Sequence, residues 1–61
     1  MSEQELDMYN INKNITEIIA NLTKARKALN KKDYREASKL FSVVAYHADH
    51  NDALMEGVWQ S

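Results

Sequence analysis

The sequence predicts an all-α protein: an antiparallel two-helix hairpin, expected to dimerise into a four-helix bundle. Three observations carry that expectation. Apolar residues recur at alternating spacings of three and four along two long segments, as in helices that bury one stripe. Between them lies Asn30-Lys31-Lys32-Asp33-Tyr34-Arg35-Glu36, which holds signals both to stop one helix and to start the next. Finally, the 61 residues include no proline and one glycine, Gly57, which suits long unbroken helices and argues against a many-turned β fold.

Helix 1 opens on Ser2 and Glu5, spaced as a capping box. Met8, Ile11, Ile15, Ile18, Leu22, Ala25 and Leu29 then form a heptad seam, widened by Ile19 and Ala28. Lys13, Glu17, Lys24 and Lys27 occupy the outer faces. Asn10, Asn12 and Asn14 weaken the early part, because asparagine disfavours helix interiors, and Asn14 with Glu17 offers a second start. The helix is expected over about residues 3–29, with a start near residue 15 as the alternative.

The loop is expected at 30–33. Lysines here place positive charge beside the unpaired carbonyls of the first helix, and Asp33 with Glu36 caps the second. Helix 2 is expected over about residues 34–56. Its seam is Tyr34, Ala37, Phe41, Val44, Ala48, Asn51 and Met55, with Leu40, His47 and Leu54 along one flank. Gly57 is expected to end it in a left-handed conformation, with Val58 packing back on Ala53. Trp59 is expected to fold against the hairpin or a second subunit.

Composition narrows the function classes. The chain is 44% hydrophobic and 28% charged with a net charge of −1, a globular balance that points to neither disorder nor a bulk nucleic-acid binder. A chain this short buries only about 60% of its unfolded surface. With no cysteine to supply disulfides or thiolate metal sites, self-association is the expected remedy. No apolar run reaches membrane-spanning length and the acidic start lacks a signal-peptide core, so a cytoplasmic protein is expected. The two Asn-x-Thr matches at Asn14 and Asn21 therefore carry no expectation of glycosylation.

The phrase Ala28-Leu29-Asn30-Lys31-Lys32-Asp33-Tyr34-Arg35-Glu36-Ala37, followed by Leu40-Phe41 and Ala45, resembles the inner turn of a tetratricopeptide repeat. Those repeats carry Gly-Asp-Tyr-x-x-Ala between their helices; Lys32 stands at the glycine position. The resemblance spans about eighteen residues, one repeat where stable arrays need about three, and it implies shared hairpin chemistry. Across the whole chain the pattern is similar to plasmid repressor-of-primer hairpins, an architectural likeness with no binding residues that align. In size and texture the chain also resembles short accessory proteins of lambdoid phage early regions, which implies a modulator of host physiology or developmental control.

Charge is distributed unevenly. Residues 24–39 hold seven cations (Lys24, Arg26, Lys27, Lys31, Lys32, Arg35, Lys39) against Asp33 and Glu36, a local +5. Residues 1–23 set four carboxylates against Lys13, giving −3, and residues 40–61 carry three carboxylates, also −3. A hairpin would thus have a basic tip and an acidic opposite end. In an antiparallel dimer the two would meet.

The expected function is that of a small non-enzymatic regulator acting through protein–protein contact. Lys31, Lys32 and Arg35 at the tip, with Tyr46 and Trp59 as aromatic anchors, are the expected partner-binding residues. Ile11, Ile15, Ile18, Leu22, Phe41, Val44, Ala48 and Asn51 are the expected oligomer interface. Asn51, a polar residue in the seam, either fixes register or sits at its rim. The alternative is a nucleic-acid-binding hairpin dimer whose basic loop region neutralises phosphates. No cofactor is expected. His47 and His50 supply two imidazoles one turn apart, short of the four ligands a structural metal site takes, although such a pair can make association respond to pH near 6. Nothing in the sequence forms a nucleophile, a phosphate loop or an acid–base pair in a pocket, so no enzyme activity is expected.

Overall fold

The computed structural model describes residues 2–60 and consists of two helices, α1 (Glu3–Asn30) and α2 (Tyr34–Gln60), packed side by side as an antiparallel hairpin. Ser2 is extended and its Oγ accepts from the Glu5 backbone N–H at 3.1 Å, capping α1. The asparagine-rich early turns remain helical. Asn12 Nδ2 donates to the Met8 carbonyl at 3.0 Å and Thr16 Oγ1 to the Asn12 carbonyl at 3.2 Å, so these side chains bond to the helix itself.

The turn is tightly specified. Asp33 N–H donates to Ala28 O at 2.8 Å and Lys32 N–H to Leu29 O at 3.0 Å, the paired bonds of a Schellman stop. That stop needs a left-handed residue, and Lys32 provides it with φ 61°. Lys32 is also the position where the tetratricopeptide phrase has glycine, which adopts that conformation without steric cost. Asp33 Oδ1 then accepts from the Glu36 backbone N–H at 3.2 Å and starts α2. Three residues reverse the chain.

One expectation is corrected at the far end. Gly57 does not terminate α2; the helix runs on to Gln60, and no glycine has positive φ. Gly57 faces the first turns of α1, where an added Cβ would meet Asp7 Oδ2 at 3.7 Å. Gln4 Nε2 donates to the Val58 carbonyl at 3.5 Å across the same end. The last turn of α2 thus stays helical alongside α1, despite the glycine.

The contact between the helices is narrow. On α1 the residues turned inward are Asp7, Ile11, Asn14, Ile18, Asn21, Ala25 and Ala28; on α2 they are Ala37, Leu40, Val44, His47, Asn51, Leu54 and Val58. Near the loop the stripe is alanine, with Ala25 and Ala37 only 1% and 2% exposed, so the backbones approach closely. Among the described residues, no large side chain is fully buried. The molecule measures 44 × 16 × 11 Å, and its radius of gyration of 14.1 Å exceeds the roughly 10.5 Å of a compact domain of this length.

Candidate interaction surfaces

Each helix has two flanks beside its inner stripe. On α1 the residues one position after Asp7, Asn14, Asn21 and Ala28 are Met8, Ile15, Leu22 and Leu29, and all four are substantially exposed. On α2 the equivalent row is Tyr34, Phe41, Ala48 and Met55, likewise exposed. Reversing one helix against another brings like flank beside like flank, so both rows lie on the same side of the hairpin. An open groove near the loop, lined by Leu29, Tyr34, Ala37, Phe41 and Ala45 together with Ser38 and Ser42, bears this out. Ile19 and Trp59, one further turn round their helices, extend this face. The result is a largely apolar surface running most of the length of the molecule, interrupted by Arg26 on α1 and Asp52 on α2.

The opposite flank is polar. It carries Asn10, Glu17 and Lys24 from α1 and Glu36, Val43, His50 and Gly57 from α2, with Lys13, Lys27, Lys39 and Tyr46 just outside them. Two contacts place it: Asn14 Nδ2 lies 3.3 Å from His50 Nδ1, and Gly57 lies against Asp7.

The residues expected at an oligomer interface are divided by this geometry. Ile11, Ile18, Val44 and Asn51 face the other helix of the same chain, whereas Ile15, Leu22, Phe41 and Ala48 lie on the exposed apolar face. The heptad seam visible in the sequence thus merges one inner row with one outer row. Tyr46 and Trp59 are both about two-thirds exposed but fall on opposite sides, Trp59 with the apolar face and Tyr46 with the polar flank. Lys31, Lys32 and Arg35 are exposed at the tip, as are Lys24, Arg26, Lys27 and Lys39.

A polar cluster crosses the inner stripe away from the loop. Asn14, only 8% exposed, donates through Nδ2 to Asn51 Oδ1 at 2.8 Å, and Asn51 Nδ2 donates to the Ile11 carbonyl at 3.3 Å. Asn51 is half-buried here, bonded across the helix pair. Asn14 was hidden in the sequence, since the apolar spacing runs through its neighbour Ile15; the pairing of positions 14 and 51 emerges only once the hairpin register is known.

The two histidines part company. His50 is exposed and meets Asn14. His47 points into the inner stripe, its ring edge-on to Tyr46 at 5.5 Å between centroids and its Nδ1 buried without a hydrogen-bond partner. Among the described residues, no group of three or more His, Cys, Asp or Glu side chains is placed to hold a metal, and no helix is long and apolar enough to cross a membrane.

No protein-family model matches the sequence, and no curated protein or solved structure is significantly similar to it.

Proposed function

We propose that this chain is a small non-enzymatic regulator that works through protein–protein contact, first with itself as a homodimeric four-helix bundle and then with a second protein through its basic tip. The observation that carries the reading is the orientation of α1. Of its two candidate rows, the more apolar (Met8, Ile15, Leu22, Leu29) is turned to solvent. Large exposed apolar side chains gathered on one side of a molecule mark interaction sites on soluble proteins. The accessible surface agrees: 4843 Å², against about 4100 Å² for a compact monomer of this mass.

With the apolar face committed to assembly, Lys31, Lys32, Arg35 and the exposed Tyr46 remain for the second partner. Sedimentation equilibrium tests the first step. The wild type is expected to be dimeric at micromolar concentration, and Phe41→Glu monomeric with its helical circular dichroism retained. A wild type that stays monomeric at several hundred micromolar would falsify the reading. For the second step, joint Lys31→Glu, Lys32→Glu and Arg35→Glu changes are expected to abolish partner capture, scored at protein concentrations where sedimentation still finds the dimer.

A second reading has its own support, since all seven cations around the tip are exposed. As a nucleic-acid binder the dimer would lose affinity steeply with salt, log–log, by about 0.9 for each duplex DNA phosphate neutralised. Fluorescence anisotropy with labelled duplexes across a salt series separates the two readings.

A further inference from the structure

We infer that the second copy covers the apolar face in an antiparallel sense, related by a two-fold axis that crosses the face near Ile19 and Ala48, so that each basic tip lies beside the other copy's acidic end. This rests on the self-association proposed above and specifies its geometry.

The first argument is the symmetry of the exposed rows. On α2, Phe41 and Met55 lie seven residues to either side of Ala48. On α1, Ile15 and Leu22, and beyond them Met8 and Leu29, are evenly disposed about the region of Ile18 and Ile19. Antiparallel packing aligns these centres, because Asn14 bonds Asn51 across the hairpin, which sets Ile18 level with His47, beside Ala48. A two-fold axis through that level maps the face onto itself, as an isologous interface requires. It stacks α1 on α1 and α2 on α2. Phe41 of one copy then meets Met55 of the other, Ile15 meets Leu22, and Met8 meets Leu29. Ala48 meets its own equivalent, and its small side chain lets the two α2 backbones approach at the axis.

Charge supplies the second argument. The tip carries +5, and each of the two segments outside it carries −3. Parallel pairing would put two such tips together and leave the acidic ends together as well. Antiparallel pairing sets opposite charges side by side at both ends, and like-charge juxtaposition disfavours the alternative. The tip cations on the polar flank (Lys24, Lys27, Lys39) point away from the covered face and stay open to a further partner.

The test uses single-cysteine variants, which are clean reporters because the chain has no cysteine. A spin label on Asn30→Cys at the tip is expected to give an inter-label distance on the order of the molecule's 44 Å length, and oxidised Ala48→Cys is expected to cross-link to itself. Raising salt from 50 to 500 mM is expected to weaken dimerisation several-fold. A dimer with tip labels within about 20 Å, the width of two helix diameters, and no Ala48→Cys cross-link would overturn the orientation while leaving self-association intact. Monomers in sedimentation would overturn both.

Discussion

The two rows that flank Ile11, Ile18 and Ala25 on α1 are arranged contrary to what an isolated hairpin would choose. The row facing α2 reads Asp7, Asn14, Asn21, Ala28; the row facing solvent reads Met8, Ile15, Leu22, Leu29. Rotating α1 by a fraction of a turn would bury the better row. Two features oppose that rotation. Ala25, Ala28 and Ala37 let the helices approach closely near the loop, where larger side chains would push them apart. Farther along, the Asn14–Asn51 bond and the Asn51 contact with the Ile11 carbonyl tie the two helices at a defined angle. The difference between the rows separates two tasks: the inner one sets geometry, and the outer one holds most of the hydrophobic free energy still available for burial.

Truncating equivalent isoleucines breaks the comparison most sharply. Ile11→Ala, inside the pair, is expected to cost about 2–4 kcal/mol, enough to unfold much of so small a protein. Ile15→Ala, on the outer face, is expected to cost the hairpin itself under about 1 kcal/mol but to remove the dependence of stability on protein concentration that a dimer shows. Urea unfolding at several concentrations reads both. Similar losses from the two variants would mean that the rows are not functionally distinct.

The asparagine pair sharpens the geometric half of the argument. Asn51→Ala leaves the buried Asn14 amide without its 2.8 Å partner and is expected to cost about 1–2 kcal/mol. Replacing both by leucine removes the unpaired group and is expected to be neutral or stabilising, while broadening amide resonances in NMR as the helices lose their fixed rotation. A double variant with spectra as sharp as the wild type would assign the rotation to the alanines alone.

The smallest effects lie at the two ends. Lys32→Gly is expected to stabilise by about 1 kcal/mol, because a left-handed lysine carries steric strain. Gly57→Ala is expected to stabilise by about 0.5–1 kcal/mol, since the residue sits inside a helix with ordinary van der Waals space for a Cβ. A loss of thermal stability in Gly57→Ala would restore the cap that the glycine suggests in the sequence.

Much of the architecture was legible because it is local. Ser2 with Glu5, Asp33 with Glu36 and the sustained three–four spacing act within a turn or two of their own positions. The rotation of each helix was not legible. A heptad seam read from one strand of sequence selects the most apolar stripe, here Met8 to Leu29, yet the inner stripe is decided by alanine approach and by a bond between residues 37 positions apart. Gly57 misleads as well: the helix continues through it to Gln60, with Asp7 of α1 beside it. The division of Tyr46 from Trp59 follows from rotation too.

The thinness of the molecule has a thermodynamic consequence. Two helices side by side leave each residue near water, and among the described residues no large side chain is fully buried. Unfolding a single hairpin therefore uncovers little apolar surface, and the accompanying heat-capacity increase falls below the roughly 12–15 cal/mol/K per residue of ordinary domains. Its stability curve is correspondingly flat, changing slowly with temperature and resisting cold. Were a second copy to cover the long apolar face, as proposed, an ordinary heat capacity and an ordinary curvature would return, so a calorimeter alone would tell a lone hairpin from a paired one.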